Sequence, residues 1–177
     1  MHILDIAENS IRAEAKLIQI HIEENPDKDI LLLTIKDDGK GMTAAQKKMA
    51  LDPFFTTKST RRFGLGLSLL QEASRAAAGD MSLDSIPGTG TEVRASFQLG
   101  HIDRQPLGDM SQTLVTLIAG HPQVDFLYSH RIGKERFDLD TREIKTRLED
   151  VPIQSPEIVS FLENYIKEGL DTIRRQR

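Results

Sequence analysis

Along the first sixteen residues, apolar positions recur at the spacing of one helical face: Ile3, Leu4, Ala7, Ile11 and Ala15. This predicts a helix over 3–16. From Leu17 the period changes to two, with Ile18, Ile20 and Ile22 alternating against Gln19, His21 and Glu23. A half-buried strand has that pattern, and after the turn Asn25-Pro26-Asp27 a second strand is expected over 30–36. Thr43 predicts an N-cap for the short helix AAQKKMAL, stopped by Pro53. A longer helix is expected over 66–78 with Gly79 closing it. A hairpin follows, its strands over 81–86 and 91–99 about Pro87-Gly88. Residues 1–99 thus predict α-β-β-α-loop-α-β-β, an α+β chain folded as a sheet with helices on one face.

Residues 100–177 read as a smaller α+β extension. A helix runs from an Asp109 cap to Gly120, strands over 124–131 and 135–140 flank Gly133-Lys134, and helices cover 141–149 and 156–175. In the last helix, Ile158, Val159, Leu162, Tyr165, Ile166 and Leu170 form a stripe that must pack on something. Two readings of the extension stand side by side: it completes the core, or it serves a partner or a dimer.

Composition narrows the choice of function. Lys and Arg total 23 against 27 Asp and Glu, a net charge of −4, and neither half of the chain is basic. Neither a nucleic-acid surface nor a polybasic membrane patch is supported. The longest aliphatic run, Ile-Leu-Leu-Leu at 30–33, is far short of the roughly 18 residues a spanning helix requires. No charged-then-apolar leader opens the chain, so a soluble, unsecreted, cytoplasmic protein is expected. Cysteine is absent, which removes disulfides, thiolate metal sites and a cysteine nucleophile.

Four short patterns carry candidate chemistry. Asp5, Asn9 and Arg12 fall on one helical face, where a carboxylate and an amide can hold a metal ion and orient water while the guanidinium meets an anion. The same pattern is also an ordinary polar stripe. DDGKGM, 37–42, places an acid at a strand end, where it can accept from an amine, beside Gly39 and Gly41, which permit close approach of a ligand. It also reads as a tight turn. FGLGLSLL, 63–70, opens a helix with Gly64 and Gly66, whose free N–H groups suit phosphate. PGTGTEV, 87–93, is by itself a hairpin turn.

Their order adds what none of them carries alone. A D-x-x-x-N helix, a strand ending in D-x-G-x-G, DPFFTTK (52–58), G-L-G-L at a helix start and G-T-G-T before a strand span about 90 residues. This succession resembles the ATP-binding domain shared by histidine kinases, gyrase-type topoisomerases, mismatch-repair ATPases and the large stress chaperone. DPFFTTK and GLGLSLL look most like the boxes of sensor histidine kinases. The resemblance covers residues 3–98. It implies a two-layer α/β sandwich with a mixed, mostly antiparallel sheet, and ATP and Mg²⁺ as cofactors. It further implies that Asn9 holds Mg²⁺, that Asp5 stands where hydrolytic relatives activate water, and that Arg12 meets phosphate. On the same resemblance Asp37 would accept from the adenine amino group, Gly39 and Gly41 would allow close approach, Met42 would lie against the base, and Thr91 would support the adenine contact. It likewise implies that Lys58 with Arg61 or Arg62 would face the γ-phosphate and that Gly64-Leu65-Gly66-Leu67 would meet the phosphates.

Three departures shape the expected function. Only four residues precede Asp5, where the family carries a strand, so the sheet is either smaller or patched by the C-terminal part. Arg62-Phe63 stand where the family has a glycine-rich stretch, and the lid is short. No upstream helical hairpin offers a phosphoacceptor histidine. The expectation is therefore an ATP-dependent histidine or serine kinase-like protein, or a signalling ATPase, acting on a protein partner in trans. A nucleotide-controlled binding switch and a slow ATPase, with a homodimer left open, are the alternatives.

Overall fold

The computed structural model describes residues 2–52 and 65–175. Among them the chain runs α1 (Ile3–Arg12), β1 (Leu17–Asn25), β2 (Ile30–Asp37), α2 (Ala44–Ala50), α3 (Gly66–Ala76), β3 (Met81–Ile86) and β4 (Gly90–Gln98). It continues with α4 (Met110–Gly120), β5 (Asp125–Ile132), β6 (Glu135–Asp140), α5 (Thr141–Leu148) and α6 (Pro156–Arg175). The strands form one mixed sheet in the order β3-β4-β2-β1-β5-β6, an α+β architecture as expected. Every neighbouring pair is antiparallel except β1 with β5.

The two-residue period of the strands decides which side of this sheet is covered. Ile18 lies opposite Asp37 and Phe126, Ile20 opposite Ile35 and Tyr128, and Ile22 opposite Leu33 and His130. These positions share a buried face with Val93, Ala95 and Phe97 of β4 and Leu139 of β6. Helices α1, α3 and α6 pack on strands, and α4 bridges α1 and α6. The reverse face carries His21, Lys36, Arg94 and Arg131, with Leu32 left 40% exposed. A sheet covered on one side needs this alternation.

The extension supplies β5 and β6 and so widens the sheet beyond β1. Its attachment is apolar through Phe126, 1% exposed, and polar through His130, which is fully buried. His130 Nε2 donates to Glu24 Oε1 at 3.0 Å, and the Tyr128 hydroxyl lies 3.0 Å from Nδ1. Glu24 belongs to β1, so this pair joins the two strands across their parallel register. Burial holds the Tyr128 phenol well above its ordinary range. The sequence marks His130 only as a loop or strand residue; its place in the core follows from a period-two alignment with Tyr128 and Phe126.

Local chemistry trims two helices relative to their periodicity. The first ends at Arg12 rather than 16 because other partners take its continuation: Ala13 O accepts from Lys40 N at 2.9 Å. The Asp38 carboxylate accepts from the N–H groups of Lys16 and Leu17 at 2.7 and 2.9 Å and turns the chain into β1. At the end of α3 the left-handed residue is Ala78, φ 53°, not Gly79. Gly79 is needed for closeness instead, since a Cβ there would stand 1.8 Å from Ser96 O. The expected caps are present: Thr43 and Gln46 form a reciprocal capping box, and Asp109 accepts from Gln112 N at 3.0 Å.

Because β5 shares its core with β1, Phe126→Ala should lower the unfolding free energy by about 3–5 kcal/mol. Urea unfolding followed by circular dichroism should show one transition shifted as a whole. A separate early transition that leaves the remainder intact would show that the extension folds by itself.

Candidate functional site

A cavity of about 600 Å³ opens between α1, the β2–α2 connection, α3 and the β3–β4 hairpin. Its walls are mainly aliphatic: Ile6, Ile35, Leu67 and Val93, with Met42 alongside. One acid, Asp37, is buried in it at the end of β2. At the α1 side the lining changes to the amide of Asn9 and the guanidinium of Arg12. An apolar slot with one acceptor in it and a polar, cationic flank suits a flat heterocycle carrying an anionic tail.

Three donors from different elements hold Asp37. Ser10 Oγ of α1 donates to Oδ2 at 2.6 Å, while Gly39 N and Thr91 N donate to Oδ1 at 3.0 and 3.2 Å. An ionised carboxylate offers about four lone-pair directions. Three are used, which leaves one acceptor direction on Oδ2 for a donor such as an exocyclic amine. Behind it, Ser85 Oγ accepts from Met42 N at 2.8 Å and donates to Gly90 O at 3.1 Å, with Thr91 Oγ1 2.8 Å away. Gly41 makes this arrangement feasible: its φ is +64°, and a Cβ would stand 2.0 Å from Ile86 O.

On α1, Asn9 Oδ1 accepts from Arg12 Nη1 at 3.1 Å, while Asn9 Nδ2 is buried without a partner. An unpaired buried amide costs free energy that a ligand would recover. Asp5 sits one turn earlier, 59% exposed at its side chain, with His2 Nδ1 at 3.2 Å from Oδ2. It borders the first turn of α3, where a Cβ on Gly66 would lie 2.7 Å from Asp5 Cβ.

Of the residues singled out in the sequence, the structure gathers Asn9, Arg12, Asp37, Gly41, Met42, Leu67 and Thr91 on the cavity lining. Gly39 stands just outside it, holding Asp37. Asp5, Leu65 and Gly66 lie at the α1–α3 edge, Leu65 being the N-cap of α3 and 48% exposed. Lys58, Arg61, Arg62 and Gly64 lie outside the described residues, as does DPFFTTK from Pro53 onward. Sequence reasoning missed Ser10 and Ser85. The available signal was a serine on the apolar face of a helix and another facing inward on a strand, each needing a buried partner.

A divalent ion here would draw on few protein ligands. Among the described residues no cluster of three or more His, Asp or Glu side chains could enclose one. Asn9 as a single oxygen ligand, with phosphate oxygens and water completing the shell, fits the way Mg²⁺ is commonly held beside nucleotides. Nor is any helix among the described residues long and apolar enough to cross a membrane.

Residues 2–101 match the family described as histidine kinase-, DNA gyrase B- and HSP90-like ATPase. A putative sensor protein of Shewanella frigidimarina is 36% identical over 88 residues, 49% of this chain and 13% of that protein. The sensor histidine kinase YxdK of Bacillus subtilis is 37% identical over 75 residues, 40% of this chain and 23% of its own. AtoS of Escherichia coli, a signal transduction histidine-protein kinase, is 36% identical over 89 residues, covering 50% of this chain and 14% of AtoS. The chain thus spans less than a quarter of the length of these relatives. With the family match covering the helix, loops and strands that build the cavity, the chain belongs to the histidine kinase-, DNA gyrase B- and HSP90-like ATPases.

Proposed function

We propose that this chain binds Mg·ATP in the cavity and transfers or hydrolyses its γ-phosphate in a signalling context, acting on a protein partner in trans. The observation that carries the reading is Asp37: a buried carboxylate, fixed by three donors, with one acceptor direction left in an apolar slot. That direction takes the adenine amino group, with Met42 against the ring and Thr91 supporting the contact. Asn9 would hold Mg²⁺, and Arg12 would exchange its bond to Asn9 for the phosphate charge. The ion neutralises charge on the phosphoryl group. The resemblance assigns Lys58, Arg61, Arg62 and the Gly64-Leu65-Gly66-Leu67 segment to the phosphates.

Action in trans rests on where the histidines stand. His130 is buried, His21 is on the reverse face of the sheet, and His121 pairs with Glu8 at 3.0 Å. His101 pairs with Asp103, and His2 is held by Asp5. None of them lies on a helical hairpin facing the cavity, which supports an acceptor outside the described residues. We assign the nucleotide unit to 1–99 and the partner or dimer contacts to 100–177, in a cytoplasmic setting.

One observation favours slow hydrolysis or switching over rapid turnover. Asp5, the candidate base, lies beside the cavity rather than on its lining, and aspartate is shorter than glutamate by about 1.5 Å. Incubation with γ-labelled ATP and a candidate partner separates the outcomes: labelled protein means kinase, free phosphate means ATPase, and neither means a switch.

Asp37→Ala should weaken ATP binding about ten- to a hundredfold, the value of a hydrogen bond to a charged group. Asp37→Asn should be milder, since the amide oxygen still accepts, and Ser10→Ala should fall between wild type and Asp37→Ala. Calorimetry checks all three, and an unchanged affinity in Asp37→Ala would overturn the adenine assignment. Asn9→Ala should weaken binding in Mg²⁺ but much less in EDTA. Asp5→Asn should bind ATP normally yet turn over roughly 10²–10⁴-fold more slowly if Asp5 is the base. Single-turnover rates at saturating Mg·ATP decide this; a parental rate removes Asp5 from the chemistry.

A further inference from the structure

Sharing no lining residue with the nucleotide cavity, a second cavity of about 300 Å³ opens between β6, α5 and α6 of the extension. Leu139, Ile144, Leu148, Ile158 and Leu162 give it an apolar floor, and Asp138, Asp140, Glu143 and Arg147 also line it. On α6, Phe161 and Tyr165 stand one turn apart and remain 63% and 46% exposed. Their rings stack, centroids 6.1 Å apart and planes at 11°. Tyr165 in turn rests on Phe137 at 5.7 Å, and Phe137 on the buried Tyr128 at 6.3 Å. The exposed pair is therefore backed by a continuous aromatic column reaching into the core. Ordering such side chains in advance lowers the entropy lost when a partner covers them, and exposed aromatics in a packed setting are favoured binding anchors.

Among the described residues the unpaired charges around this groove are three glutamates against one arginine, Arg147. Glu157 and Glu168 lie on the Phe161 stripe of α6, one turn before and two turns after it, and Glu143 faces out from α5. Among the described residues none of the three has an ion pair. Asp138 and Asp140, also at the groove, are matched by Arg136 and Arg142. Arg147 is the base on the lining. A second copy of the chain would set the same glutamates against one another, which like-charge repulsion disfavours. A positively charged partner meets the rim and the apolar floor together.

We propose that the α5–α6 groove is a docking site for a basic amphipathic helix of a partner protein. Apolar side chains at i, i+4 and i+7 of that helix would lie on the groove floor and against the Phe161–Tyr165 stack. Its Lys and Arg residues would flank the glutamates Glu143, Glu157 and Glu168. The site is separate from the nucleotide cavity, so its test stands whatever the outcome of ATP binding.

The probe is a displayed library of helical peptides with apolar residues fixed at i, i+4 and i+7 and the remaining positions randomised among Lys, Glu, Gln and Ala, selected on the full chain. Enrichment of Lys at the flanking positions is expected. The best peptide should lose at least tenfold in affinity against Phe161→Ala and against Glu157→Lys with Glu168→Lys, and should weaken as salt rises. Phe161 is exposed and the rim glutamates are solvated, so circular dichroism of both variants should match the parent. No enrichment, enrichment of Glu, or equal binding to both variants would overturn the proposal. Light scattering that shows a dimer dissolved by Phe161→Ala would assign the groove to a second copy instead.

Discussion

One buried carboxylate ties the architecture to the site. Asp37 ends β2, and its three hydrogen bonds reach α1 through Ser10, the following loop through Gly39, and β4 through Thr91. A carboxylate 7% exposed is costly unless its lone pairs are occupied, so these elements are held at fixed mutual positions by the need to satisfy it. The cavity is what remains between them. Its shape is a by-product of that satisfaction, and the last open lone pair sets its chemistry. Fold and recognition here are a single constraint viewed from two sides.

A second constraint runs along the sheet. The apolar faces of β1 and β2 require cover. Strands β5 and β6 with α6 extend both layers together, which explains why the amphipathic stripe of α6 buries Leu162, Ile166 and Leu170 while its aromatic shoulder stays in water. The His130–Glu24 pair sits at this join. A buried pair of this kind contributes little net stability but penalises any shifted register, since a slip of one residue would strand both groups.

Much of this was legible from residue spacing. Period two over 17–23 and 30–36, Thr43 before AAQKKMAL, and Asp109 before an apolar run all lead to the elements observed, because each is a local signal. Sheet order was not, since β5 pairs in parallel with a strand 108 positions earlier in register, and no local pattern encodes such a partner. The site divides the same way. Asp37, Asn9 and Gly41 announce themselves through glycine and acid placement. Ser10, Ser85 and Asp38 do not, because a hydroxyl or carboxylate that satisfies a distant backbone or side-chain group looks in sequence like any surface residue. The end of α1 was misjudged for that reason: the periodicity continues to Ala15, but Asp38 takes the N–H groups that follow.

The order in which the chain is made gives the β1–β5 join another meaning. Residues 1–99 leave the ribosome before Phe126, so β1 first exists as the margin of a four-stranded sheet, its nine residues offering unpaired N–H and C=O groups. Such a margin pairs readily with another chain. At synthesis rates of about 5–20 residues per second, β5 follows within a few seconds of the β3–β4 hairpin. During that interval the nascent protein is at its most adhesive, and a chaperone or a slowly translated codon tract would act most strongly there. Once β5 docks, the margin moves outward to β6, a strand of six residues bearing Glu135, Arg136, Asp138 and Asp140, whose charges discourage further pairing.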